Sequence, residues 1–158
     1  GAAGIGRIDI VDPDHFSTSN LYRHTLDGDT TNWPKSLAVA FQLQKKFPWL
    51  KVGSCSNSLL DYRKRTILNA YDLVIIAIGV PTHERLFHDY LVKSDVKVPV
   101  IYSWLEGYGI GGHAVLDIPH QLGCLRCAYV EASSGIRGLA SNLNFFNKFR
   151  LVTFSRTN

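Results

Sequence analysis

Two acidic residues and a cysteine pair open the chemical reading of this chain. Asp12 and Asp14 flank Pro13 at the end of an apolar-rich run, Arg7 to Val11. An acidic residue ending the second strand of a dinucleotide-type fold can accept hydrogen bonds from ribose hydroxyls. The same residues can instead shape an Asp-Pro-Asp turn, and composition alone favours the turn. Cys124 and Cys127 form a C-x-x-C pair. Tetrahedral zinc takes four ligands, so this pair would supply two of them. A redox dithiol usually opens a helix after a strand. This pair follows a hairpin pattern, which favours metal over redox chemistry, with His120 a weak candidate for a third ligand. His83 and Glu84 could contribute to a cation site, but read better as the first turn of a helix.

The elements that must position these residues alternate. Arg7 to Val11 predicts a strand, stopped by Pro13. Pro13 to Asn32 predicts a long polar loop, and loops of that length are usually functional or mobile. Pro34 suits a helix start, and Leu37, Ala40, Phe41 and Phe47 fall near helical spacing until Pro48. A strand with Val52 in its core is expected within Trp49 to Cys55, then a helix over Leu59 to Ala70. Asp72 to Ile78 reads as a central parallel strand closed by Gly79 and Pro81. Thr82 is the expected N-cap of a helix whose stripe is Leu86, Phe87, Tyr90 and Leu91. Strands over Val98 to Trp104 and His113 to Ile118 flank the glycine-rich stretch Gly107 to Gly112. Gly123 to Cys127 reads as a tight turn. A helix over Ser133 to Lys148 and a strand over Arg150 to Phe154 complete the chain. Such alternation predicts a Rossmann-like α/β fold: a mostly parallel sheet, helices on both faces, and right-handed crossovers. Ligands in such sheets sit at the carboxyl ends of strands, which nominates Asp12, Gly79 and Trp104.

Bulk properties fit one domain over residues 1–158. Hydrophobic residues make up 46% of the chain, enough to offset chain entropy. The longest apolar run, Leu73 to Ile78, is strand-sized and far short of a membrane span. The start lacks a signal-peptide pattern. The net charge of +4 comes from 17 basic and 13 acidic residues, spread thinly except at Arg63, Lys64 and Arg65. That pattern predicts a solvated surface, with neither nucleic acid nor membrane as partner. Three cysteines and no secretory pattern argue against a disulfide framework and for a reducing, cytoplasmic setting.

The run from Asp12 through Asp14, Asn20, Leu21, Arg23 and His24 to Lys35 resembles the ThiF/MoeB/HesA family, which includes the ubiquitin-activating enzymes. The family pattern is D-x-D, five residues, N-L-x-R followed by Gln or His, then a Lys opening a helix. The likeness continues through Tyr71 to Ala77, Val98 to Ile101, the GIGGHAV run and the C-x-x-C, covering roughly residues 4 to 130. It implies that Asp12 binds the ribose of ATP, with Asp14 beside it in the nucleotide site. Asn20, Arg23 and Lys35 would meet the phosphates, Arg23 and Lys35 acting catalytically. The chemistry agrees. A carboxylate attacks the α-phosphate of ATP and pyrophosphate leaves, so Arg and Lys can stabilise the charge that builds up. Without the pattern, Arg23 and Lys35 would read as an ordinary surface charge pair. His24 could bond the nucleotide or hold the loop, and loop support is favoured.

The same resemblance implies Mg²⁺, a ubiquitin-like or sulfur-carrier protein as substrate, and a homo- or heterodimer. It also implies zinc at Cys124 and Cys127, completed by a second C-x-x-C. Three departures qualify it. The family's first strand and glycine-rich phosphate loop have no counterpart before Gly4, so residues 1–158 alone are expected to bind ATP weakly. The family's metal-binding Asp falls at Ile78, Gly79 and Val80. Only one C-x-x-C is present, and no cysteine follows Cys127 to carry a thioester. A non-catalytic, dimer-scaffold half of an activating enzyme is the rival reading. A nicotinamide-dependent oxidoreductase ranks last, because it leaves Arg23 and Lys35 unexplained.

Overall fold

A computed structural model describes residues 4–65, 67–105, 111–121 and 123–129. The predicted helix at 133–148 and strand at 150–154 lie outside them, as does most of the glycine-rich stretch. The chain divides into two compact units, residues 1–67 and residues 68–158.

In the first unit β1 (Arg7–Val11) pairs in parallel with β2 (Lys51–Cys55), and α1 (Lys35–Lys46) connects them. α2 (Leu59–Arg65) follows. Register sets Asp9 opposite Gly53, and a Cβ at Gly53 would collide with Asp9 Oδ1. A larger residue at Gly53 would therefore have to displace the Asp9 carboxylate, which is paired with Arg7. The loop predicted over Pro13 to Asn32 is more ordered than its composition suggests. It contains single 3-10 turns at Thr18–Asn20 and Gly28–Thr30. Phe16 and Leu26 from this loop pack with Ala38 of α1, and Val39 borders the cluster.

In the second unit β3 (Val74–Ile76) pairs in parallel with β4 (Val100–Leu105), and α3 (Pro81–Lys93) crosses between them. β5 (Gly112–Asp117) returns antiparallel to β4. Val100 and Tyr102 alternate into the buried face, where Phe87 and Leu91 of α3 are also buried. α4 (Leu125–Tyr129) follows.

Three expectations need correction. The helix expected to reach Ala70 ends at Arg65, and a separate 3-10 turn spans Leu68–Ala70. Asn69 is held by the neighbouring segment: its Oδ1 accepts from Lys97 N–H at 2.8 Å. The N-cap of α3 is Val80, with Pro81 at the first helical position, so Thr82 lies inside the helix. The tight turn expected over Gly123 to Cys127 opens into α4, because Leu125 N–H is capped from a distance by Asp117 Oδ2 at 3.1 Å. No helix among the described residues is long and apolar enough to cross a membrane.

Candidate nucleotide site and cysteine pair

Asp12 lies just past β1, and its N–H donates to Cys55 O at 3.1 Å, extending the parallel ladder. Its Oδ1 accepts from Asp14 N–H at 2.8 Å. The Asp-Pro-Asp turn is therefore real, and it uses one oxygen of Asp12 while the other has no partner among the described residues.

From there the loop is stitched to the start of α1. Lys35 N–H donates to Asp14 O at 2.8 Å, and Lys35 Nζ donates to Asp14 Oδ2 at 2.7 Å. His15 bridges Pro34 in antiparallel fashion. Phe16 N–H donates to Trp33 O at 2.8 Å, and Phe16 O accepts from Asn32 N–H at 2.7 Å. Asn32 needs a positive φ of 71° to make this closure, which asparagine tolerates well. The Asp14 side chain is 66% exposed, so its ion pair with Lys35 contributes at most about 1 kcal/mol. Its effect is to orient: the ammonium group is held at the helix start, where backbone N–H groups already favour anions.

Asn20 and Arg23 occupy the far side of the loop. Asn20 is buried, and its Oδ1 accepts from Ser17 N–H at 3.1 Å and Ser17 Oγ at 3.2 Å. Arg23 N–H donates to Asn20 O at 3.0 Å, closing the turn. The Arg23 guanidinium is exposed and has no side-chain partner among the described residues. His24 Nδ1 accepts from Leu26 N–H at 3.3 Å, and its ring meets Phe16 edge-on at 5.4 Å. His24 is thus engaged in holding the loop. Asp12, Asp14 and Lys35 form one bonded group, Asn20 and Arg23 another. The residue missed by sequence reading is Phe16, fully buried in the cluster with Leu26 and Ala38. The loop also carries Leu21, Tyr22 and Leu26, so residue type alone did not single it out.

The remaining candidates lie in the second unit. Glu84 is completely buried in the first turn of α3, and its Oε1 accepts from Gly79 N–H at 3.1 Å. It serves the helix start, as favoured above. Burial raises the Glu84 carboxyl pKa, opposed by the Gly79 hydrogen bond. A raised folded-state pKa means the group's stabilising contribution is complete below its unfolded pKa and is lost as pH rises through the folded value. Glu84→Gln, which keeps the acceptor for Gly79, should therefore gain in thermal midpoint relative to wild type as pH rises above the ordinary glutamate range. A pH-independent difference in the two melting profiles would contradict the buried-acid account.

Cys124 and Cys127 place their sulfurs 3.7 Å apart, and Cys127 N–H donates to Cys124 O at 2.9 Å. Two thiolates on one tetrahedral zinc, each at about 2.3 Å, are separated by about 3.8 Å. The pair fits half of such a site, but Cys124 directly precedes α4 and Cys127 lies in its first turn, so the pair does open a helix after β5 and the expected ground for preferring metal over redox chemistry is lost. Among the described residues no group of three His, Cys, Asp or Glu converges on one point. His120 lies 3.9 Å from Asp95.

This architecture is found in solved enzymes. The crystal structure of E. coli MccB with succinimide matches with a TM-score of 0.64 and 20% identity over 96% of this chain and 44% of that one. MccB in complex with N-formylated MccA matches with a TM-score of 0.63 and 24% identity over 82% and 38%. The shared fold is a mixed α/β domain with parallel strand pairs joined through helices. The chain belongs to the ThiF family, whose profile matches residues 1–143. The sulfur carrier protein adenylyltransferase of Thermus thermophilus is 35% identical over 132 residues, 81% of this chain and 48% of the relative. The adenylyltransferase and sulfurtransferase UBA4 of Yarrowia lipolytica is 32% identical over 96 residues, 61% of this chain and 24% of the relative. The chain thus spans between a quarter and a half of these relatives' length.

Proposed function

We propose that the protein containing this chain uses ATP to adenylate the C-terminal carboxylate of a ubiquitin-like or sulfur-carrier protein. The observation that carries this reading is the stitched Asp12–Lys35 segment, which fixes a lysine at a helix start beside an acidic strand end. Family membership and the printed activities of the relatives support it. When bound, ATP supplies the α-phosphoryl group and the pyrophosphate leaving group. Asp12 offers its uncommitted oxygen to the ribose hydroxyls, and Asp14 keeps Lys35 in place. Arg23 offers paired donors to phosphate oxygens, Lys35 adds a compact charge, and Asn20 shapes the turn that presents Arg23. The attacking carboxylate forms the new bond to phosphorus as the bond to pyrophosphate breaks. Mg²⁺ would come with the triphosphate, which supplies several of its oxygen ligands. Zinc at Cys124 and Cys127 would be structural, with two further ligands.

Both units belong, on this reading, to one adenylation domain, since the family match runs through both. A dimeric, cytoplasmic protein acting on a protein substrate, without nucleic acid or membrane, completes the proposal. ATP–pyrophosphate exchange by the full-length protein is its test. Exchange should occur, and Asp12→Ala should raise the apparent KM for ATP about tenfold, the worth of one charged hydrogen bond. Absence of exchange in the wild type would favour a non-catalytic scaffold half. That second reading draws on Gly79 and Val80 standing where an Asp is expected, with Glu84 turned inward onto Gly79.

A further inference from the structure

We propose that His88 and Asp117 are positioning residues for the cysteine pair, a buried clamp through which α3 sets the placement of the C-x-x-C turn. Asp117 ends β5 and is 1% exposed, and His88 on α3 is 5% exposed. His88 Nδ1 and Asp117 Oδ2 are 2.7 Å apart. The same oxygen accepts from Leu125 N–H at 3.1 Å. Leu125 directly follows Cys124, is fully buried and begins α4. One carboxylate oxygen thus ties a helix, a strand end and the residue between the two cysteines into one buried junction.

A second tie runs alongside at the surface. Asp89, next to His88, receives three hydrogen bonds from Arg126, at 3.0, 2.6 and 2.7 Å. Of the two residues inside the C-x-x-C, Arg126 is held directly by Asp89 of α3, and Leu125 by Asp117 of β5, which in turn meets His88 of α3. The two ties differ in kind. An exposed pair adds little to stability. A buried pair also adds little net stability, because desolvation offsets its attraction, but removing one partner leaves an uncompensated group. What a buried pair can supply is a single arrangement. Here it fixes the direction in which the chain leaves β5 and enters α4, by bonding Asp117 to Leu125 across the intervening connection. Two sulfurs at 3.7 Å need that direction fixed.

This inference rests on Cys124 and Cys127 acting as thiolate ligands, and the test separates the two ideas. Cd²⁺ is titrated into the full chain, and its thiolate charge-transfer absorption is followed. Loss of the band in Cys124→Ser and Cys127→Ser identifies the ligands. The double replacement His88→Leu with Asp117→Leu removes the buried pair as a whole, so that neither partner is left without the other, and it also frees Leu125 N–H. It should lower Cd²⁺ affinity about tenfold or more, as loss of orienting residues does at other metal sites. Asp89→Asn should leave affinity within about twofold, as suits a surface pair. Equal affinity in the double variant and wild type would overturn the clamp. If the double variant does not fold, His88→Gln is read by the same criterion. If the wild type gives no thiolate band, the ligand reading fails. The clamp is then judged by the Cys124–Cys127 disulfide equilibrium in glutathione buffer: a tenfold shift in the variants supports it, and no shift overturns it.

Discussion

Phe16→Ala should destabilise the first unit by about 3–5 kcal/mol, the range for emptying a buried phenylalanine site. Phe16 is fully buried against Leu26, Ala38 and Val39, and its ring also meets His24. Its backbone N–H and C=O both join the closure to Trp33 and Asn32. Since a whole domain is stable by only about 5–15 kcal/mol, this loss is a large fraction of the total. The functional consequence is larger than the thermodynamic one. The loop carries Asp12, Asp14, Asn20 and Arg23, so losing its anchor loosens every candidate nucleotide ligand except Lys35. Chemical denaturation of wild type, Phe16→Leu and Phe16→Ala checks this. Near-identical midpoints for all three would remove Phe16 from the account.

The largest kinetic effects are expected at Arg23 and Lys35. Each should cost about 100- to 1000-fold in adenylation rate when replaced by alanine, as loss of a charge-stabilising donor typically does. Arg23→Ala should do so with the melting profile unchanged, because the exposed guanidinium holds nothing else among the described residues. Lys35 behaves differently, since Asp14 holds it by both backbone and side chain. Asp14→Ala should slow the reaction moderately by itself. Added to Lys35→Ala it should cost nothing further, because the two residues act as a unit. Pyrophosphate exchange across the four proteins of that cycle measures the coupling. Fully additive losses would mean that Asp14 does not work through Lys35.

The pattern of Asp12, Asn20, Arg23 and Lys35 was legible as a family resemblance because it sets residue types at fixed offsets, and the family match over residues 1–143 bears that resemblance out. The parallel strands were legible from apolar runs bounded by glycine and proline. The closure of the loop was not, because the His15–Pro34 bridge and the Phe16–Trp33 bond join backbone groups, which carry no residue-type signature. The early end of α2 was hidden for a related reason: Asn69 is claimed by Lys97 N–H, 28 residues away. α4 escaped notice because five residues are too few to show a period, and its start is set by Asp117. His88 looked like one more polar residue on a helix, and only its burial beside Asp117 distinguishes it.

The reversed direction of β5 has a spatial consequence. Leu105 pairs with Gly112 at one end of the β4–β5 ribbon, and Val100 with Asp117 at the other. With about 3.4 Å of rise per residue, the two ends lie about 17 Å apart. β3 and β4 deliver their following loops at the Leu105 end, where parallel strands expose ligand sites. Asp117 and the junction to the cysteine helix hang from the opposite end. Within the second unit, the Leu105 end of the ribbon and the junction to the cysteine helix are therefore separated by the length of a strand. A metal held by Cys124 and Cys127 would act as a rivet at the Asp117 end of this ribbon, fastening the strand end to the short helix that follows it.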